Sequence, residues 1–440
     1  MDRIAQSLVD TLPAKRFDLT RRSYWSLSAV AVAVGGVLYW SIVELMGGFV
    51  VGDADSTVFS SVMFSHGYWA CAYRSISTAQ PLSGPIYPLA SAVVQWITRA
   101  GFSPGYLSTN QIGLNCQHAY ASYASFARGT NVPVYDAVLP TAMVAWFALT
   151  LAAIAIFRMS AWRATRITWI IPLAFALTPP VIFCVQEFYH PQDLWALAMA
   201  FVAVALGLRG RPFAAGIVWA LAVMSQPFTL LGVVVVLVIS SWSDRRRLVI
   251  GGVLCAVFTC SVLDVTSGSR AVSAALMGTG ATTIHHGTWM AVLHVGSGVG
   301  LVVSRFGPLA GAALVAWWVR ARRPDVVCDP VILLGLLATV WSLRLVFEEN
   351  LWGYYCMATG ATLVLRDIMA RRLSRGTVYW LILVLFAFGA VDLHSLPWAV
   401  WPNWVWQLSV APSAFFVALF SLRESMRTQP NGVEARVVDL

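Results

Sequence analysis

The stretch GDADSTVFSS, residues 52–61, carries two carboxylates, Asp53 and Asp55, a few residues beyond the first long apolar run. An acid partly withdrawn from water binds its proton more tightly, so it can take one from a hydroxyl at the point of nucleophilic attack. The same spacing also lets Asp55 cap a helix that starts at Ser56. Arg305 and Arg344 offer the complementary charge. Each stands at the end of an apolar run, where a guanidinium is costly without an anion beside it, and its planar fork matches phosphate oxygens. Snorkelling, or pairing with Glu348 or Glu349, accounts for either arginine alone; two cations at one depth point to an anionic headgroup.

Two turns concentrate further polar groups. EFYHPQDLW (187–195) holds His190, Gln192 and Asp193, and RLVFEENLWGYY (344–355) holds Arg344, Glu348, Tyr354 and Tyr355. A simple turn needs fewer polar side chains, so these are candidate substrate contacts together with Tyr87 and Gln226; the tyrosine pair equally suits an interfacial aromatic belt. His285 and His286 are adjacent, so on a helix their side chains diverge and make a poor two-histidine metal site. Either is instead a candidate for a phosphate. The dyad Asp53-Ala-Asp55 is weak support for a metal by itself, and neither Gly-x-Ser-x-Gly nor His-Glu-x-x-His occurs. We expect no metal and no cofactor.

The elements that must position these residues follow from composition. With 58% hydrophobic and 11% charged residues, a water-soluble domain of this length is excluded. A span needs about 20 mostly apolar residues, because the hydrocarbon layer is about 30 Å thick and a helix rises about 1.5 Å per residue. Apolar runs lie near 24–46, 137–157, 167–186, 193–208, 213–225, 228–241, 248–265, 300–319, 329–347, 351–365, 377–394 and 404–421. The expected fold class is therefore all-α, a polytopic transmembrane protein of about twelve spans. The first run is too long for a cleavable signal and is expected to stay as the first helix.

Lys and Arg are retained on the cytoplasmic side of short loops. With the N-terminus inside, all but six of the 29 Lys and Arg fall inside, the exceptions being Arg74, Arg99, Arg128, Arg270, Arg305 and Arg344. The net charge of +9 reflects this bias and implies no nucleic-acid partner. All seven histidines fall outside. A polar ring avoids lipid in any case, but that alone would not keep it out of the internal loops. Chemistry is therefore expected on the extracytoplasmic face of a cell-membrane protein.

The chain divides into a cytoplasmic N-terminus (1–23), a membrane domain (24–424) and a cytoplasmic tail read as disordered (425–440). Within the membrane domain the first external segment, 47–136, is too long to be structureless. Its PIYPLASAVVQWITRAGF (85–102) has a helical apolar stripe suited to a helix on the membrane surface. The second external segment, 266–299, holds another expected interfacial helix. Cys71 and Cys116 share the first segment, where a disulfide between them is chemically allowed. MSQPF (224–228) joins two short runs; Pro227 breaks the helix there, and broken backbone in a membrane must be buried or line a wet cavity.

The arrangement resembles the polyprenyl-phosphate-sugar-dependent glycosyltransferases of the GT-C superfamily. More narrowly it resembles glycosyltransferase family 87, which includes mycobacterial phosphatidylinositol-mannoside mannosyltransferases. DSTVF (55–59) resembles the family's Asp-x-x-Val-Tyr after the first helix, and PIYPLASAVV (85–94) its Tyr-Pro-Pro-Leu segment. HPQDLW and the following residues to Leu231 resemble a polar turn, Arg-Gly-Arg and a Lys-Pro segment; RLVFEENLWGYY resembles a late Arg and Tyr-Tyr turn. Ser225-Gln226 replaces the Lys before Pro227, Phe59 the Tyr and Leu89 the second Pro.

The resemblance implies Asp55 as general base, with Asp53 as its alternative. It also implies a polyprenyl-phosphate hexose donor, mannose ahead of arabinose, and a lipid or glycan acceptor. Arg344 and Arg305, with His285 or His286, would hold the departing phosphate. A lipid or glycolipid transporter without transferase activity is the competing expectation, since broken helices and arginines in apolar runs also suit transport.

Overall fold

The computed structural model describes residues 21–46, 93, 132–159, 168–186, 189–267, 288–324, 329–348, 351–389 and 403–428. Every regular element among them is helical. In chain order the helices are α1 (Arg21–Leu45), α2 (Val132–Met159), α3 (Ile170–Ala176), α4 (Pro179–Gln186), α5 (Pro191–Leu208), α6 (Pro212–Ser225), α7 (Leu230–Ile239) and α8 (Trp242–Ser267). There follow a single turn α9 (Trp289–Val292), then α10 (Ser297–Arg322), α11 (Pro330–Phe347), α12 (Met357–Met369), α13 (Arg375–Phe388) and α14 (Asn403–Thr428).

Each of the twelve apolar runs carries helix. Among the described residues five segments, Leu27–Leu45, Val138–Phe157, Pro191–Leu208, Gly298–Arg322 and Pro330–Phe347, are long and apolar enough to cross a membrane. The run 167–186 is not one span but the pair α3 and α4. Pro179 and Pro180 remove two consecutive N–H donors and disfavour a helical Thr178, so the chain breaks between Ala176 and Pro179. Proline at the first helical position also starts α5, α6 and α11. Asp329 completes the start of α11 by accepting from Val331 N (2.9 Å) and Ile332 N (3.2 Å).

The centre of the molecule is α11, whose residues from Pro330 to Leu343 are all buried. Around it pack α7, α10, α12 and α14. The outward faces are apolar: Val253, Leu254, Val257 and Phe258 of α8 and Val30, Val34 and Val37 of α1 are exposed. A surface of that kind is unfavourable in water and suits hydrocarbon. α8 reaches the rest of the protein chiefly through α6, where glycines bring the backbones together. A Cβ on Gly251 would stand 2.2 Å from Phe213 O, and one on Gly216 2.0 Å from Leu248 O. Small residues at such crossings supply close packing that lipid cannot replace. Gly251→Ala is expected to lower stability by about 2 kcal/mol. Gly207→Ala, where nothing lies within 4 Å of the added carbon, should leave thermal unfolding in detergent nearly unchanged.

The bundle has two chemically different ends. At one, arginines tie helix ends together: Arg320 donates to Val238 O in the last turn of α7 and to Ser240 O just past it, and Arg323 to Met426 O near the end of α14. Arg372 pairs there with Glu424. Arg366, counted from sequence only as one of the inside arginines, is buried. It donates to Asp367 Oδ1 (2.6 Å), Ser421 O (2.7 Å) and Ser425 Oγ (2.7 Å), while Asp367 accepts from Ser374 N. A buried ion pair is tolerable when its remaining hydrogen bonds are met in this way. This cluster holds 425–428 in helix, so the disordered tail expected from Ser425 onward does not begin there.

At the opposite end, Arg305 and Arg344 are the cations among the described residues. Of the first external segment, Val93 is described, as helical and exposed, and 132–136 as the first residues of α2, which starts earlier than the apolar run 137–157. In the second, α9 is a short turn whose Trp289 donates from Nε1 to Leu408 O (2.9 Å). The proposed pairing of Cys71 with Cys116 lies outside the described residues.

Candidate functional site

Four separate segments meet at the end opposite the arginine cluster: the turn into α5, the end of α11, the turn Pro227–Thr229 and the turn Gly353–Cys356. Each is built by a local break. Before α5, Tyr189 adopts φ 51°, uncommon for a bulky residue. Its hydroxyl donates to Val138 O (3.1 Å), and the next amide, of His190, donates to Cys184 O at the end of α4. Pro191 then starts the helix. After α6, Gln226 is extended and Pro227 opens a single tight turn before α7. The break expected in MSQPF is therefore present.

These breaks bring aromatic rings and charges together. The His190 ring stacks on Tyr354, centroids 4.3 Å apart and nearly parallel, and Tyr354 meets Tyr355 edge-on at 4.6 Å. Arg344 Cζ lies 4.3 Å from the Tyr355 ring centroid and 5.4 Å from that of Phe228. Its Nε donates to Glu348 Oε2 at 2.8 Å, with both side chains about one-fifth exposed (23% and 22%). Asp193, in the first turn of α5 and 3% exposed, lies within the electrostatic reach of the same guanidinium. Gln192, fully buried, bonds His190.

An arginine held over two rings is pre-organised; Glu348 takes its Nε–H and Asp193 also lies within its electrostatic reach, which leaves its other N–H groups for a ligand. It can receive an anion. Acids, an amide and ring faces beside it are the groups that bind hydroxyls and sugar faces. Among the described residues no group of three His, Cys, Asp or Glu side chains could hold a metal ion.

Of the residues singled out from sequence, His190, Gln192, Asp193, Arg344, Glu348, Tyr354 and Tyr355 are brought together here. Gln226 lies two residues before Phe228, half-buried, and none of the contacts just given is made by its side chain. Asp53, Asp55, Tyr87, His285 and His286 lie outside the described residues.

Arg305 corrects one expectation. Gly307 and Gly311 of α10 face Phe347 and Leu343 of α11. In that register Arg344 is level with position 310, so Arg305 stands about 7 Å further outward along the helix and not at the same depth. The two helices run antiparallel with an offset that neither sequence run reveals.

Two contributors were missed. Phe228 was hidden in an apolar run, though its place directly after Pro227 marked it as part of a broken turn. Trp341, 6.4 Å from Phe228, lies three residues before Arg344 and so on the same helical face. Compared with known proteins, the chain matches no family model and no curated protein.

Proposed function

We propose that the protein is a multi-pass membrane glycosyltransferase of GT-C type that uses a polyprenyl-phosphate hexose, with mannose the first candidate, and acts on the extracytoplasmic face. The observation that carries this reading is Arg344, set between Tyr355 and Phe228 and beside Glu348, at the end of the bundle that lacks the arginine cluster. An anionic lipid headgroup fits that charge, and the neighbouring acid, amide and ring groups fit a sugar.

The reaction is a direct displacement. Asp55, or Asp53 in its place, accepts the proton of an acceptor hydroxyl, whose oxygen attacks the anomeric carbon from the face opposite the phosphate. The bond from that carbon to the phosphate oxygen breaks, and the electron pair leaves with polyprenyl phosphate. Arg344 receives the anion, with Arg305 and His285 or His286 further out, and the anomeric configuration inverts. His190, Gln192, Asp193, Gln226, Glu348, Tyr87, Tyr354 and Tyr355 contact the substrates. The partners are the lipid-linked donor, a lipid or glycan acceptor and membrane lipids.

The test uses the purified full-length protein in lipid nanodiscs with polyprenyl-phosphate-mannose and a glycolipid acceptor. Transfer should persist in a chelator and should not occur from a nucleotide-linked mannose. The broken junction at Gln226 also suits a transporter of the same lipid. Donor binding without transfer, together with movement of the lipid between leaflets of a vesicle, would decide for transport.

A further inference from the structure

We propose that His190 is a neutral hydrogen-bond donor to an oxygen of the ligand that Arg344 binds, and that Gln192 is the positioning residue that puts the ring proton on Nε2. The ligand half of this rests on the reading of the cluster as the site of a lipid-linked phosphate sugar. The tautomer half rests on the orientation of the Gln192 amide, with Nε2 toward the ring.

Gln192 Nε2 lies 2.8 Å from His190 Nδ1. An amide N–H can only donate, so Nδ1 accepts, and in the neutral ring the proton is on Nε2. Gln192 is fully buried, and its own Oε1 has no hydrogen-bond partner. With the amide turned over, Oε1 would face Nδ1 and the ring proton would sit there instead, so the two orientations predict opposite tautomers. Among the described residues no group bonds Nε2, which leaves one directed donor in the cluster without a protein acceptor.

The ring is held in place from three sides. The His190 amide donates to Cys184 O, the ring stacks on Tyr354, and the preceding residue keeps its left-handed conformation through the bond from the Tyr189 hydroxyl to Val138 O. The titratable groups around it are Asp193 from its own helix, Arg344 and Glu348 from the end of α11, Tyr354 and Tyr355 from the following turn, and Cys184 from α4. Burial, and then the Arg344 charge, lower the His190 pKa to about 3. The ring therefore stays uncharged from pH 5 to 8. It contributes a directed N–H toward an oxygen, while the positive charge of the site comes from Arg344.

The experiment follows the imidazole nitrogens of full-length protein carrying 15N-labelled histidine in nanodiscs, with His190 assigned by its loss in His190→Phe. The expected result is a neutral ring protonated on Nε2 with no titration between pH 5 and 8. In Gln192→Glu the new carboxylate can only accept, so the proton should move to Nδ1 and titration should rise toward the ordinary range. A wild-type ring protonated on Nδ1, or one that titrates near its usual value, overturns the assignment even where a variant fails to fold.

A second arm measures binding of polyprenyl phosphate and of polyprenyl-phosphate-mannose. His190→Phe keeps a ring on Tyr354 and removes the donor. Roughly tenfold weaker binding of both ligands identifies a phosphate oxygen as the acceptor, and the same loss confined to the mannose-bearing ligand identifies a sugar oxygen. Unchanged binding of both in His190→Phe, with weakened binding in Arg344→Ala, overturns the role of His190 and leaves the donor site standing. Unchanged binding in both variants overturns the donor site itself.

Discussion

Arg344→Ala is expected to weaken use of the polyprenyl-phosphate donor by about 10²–10³-fold, the usual consequence of removing one member of a hydrogen-bonded charge cluster at a binding site. The variant removes the cation proposed to face the phosphate and leaves the Glu348 and Asp193 carboxylates near an incoming anion. Both effects act on donor binding. Arg344→Lys should fall between the two, because it restores a charge but neither the planar contact with Tyr355 and Phe228 nor the fork. The measurement is donor KM together with direct binding of polyprenyl phosphate, with thermal unfolding as the control for the fold. Glu348→Gln, which removes an opposing negative charge, should tighten donor binding or leave it unchanged. A variant lacking Arg344 that keeps its donor KM would remove this residue from the phosphate site.

Asp55→Asn is expected to lower kcat by about 10²–10⁴-fold with little change in donor affinity, since an amide of the same size keeps the contacts but cannot take a proton. The two variants therefore separate binding from chemistry. Full activity in Asp55→Asn would shift the base role to Asp53 or to another acid.

The helices were legible because hydrophobic run length is a local property. Twelve apolar runs became helices, and prolines that begin or break them, such as Pro191, Pro227 and Pro330, acted where they stand in the chain. The exceptions were also local in origin. Pro179 and Pro180 divide one apolar run into two helices, a signal present in the sequence but outweighed there by hydropathy. The two polar turns, HPQD and RLVFEENLWGYY, stood out in the sequence because seven of their polar side chains exceed what a turn requires, and the structure brings those seven together. The partners of Arg366 were not legible because charge counting does not see Ser421 and Ser425, which are more than fifty residues away and reach it only by packing.

By itself the sequence determined that the chain is helical and apolar, that most of the arginines among the described residues flank one end of its apolar runs, and which turns concentrate polar side chains. These properties depend on residue type and on neighbours within a few positions. Tertiary structure alone decided which of those turns share a site. The stack of His190 on Tyr354 joins residues 164 positions apart, and the outward offset of Arg305 from Arg344 follows from the way α10 seats its glycines on α11. Such pairings depend on how helices slide and rotate against one another. That is set by the shapes of whole faces, and no single run of residues contains it.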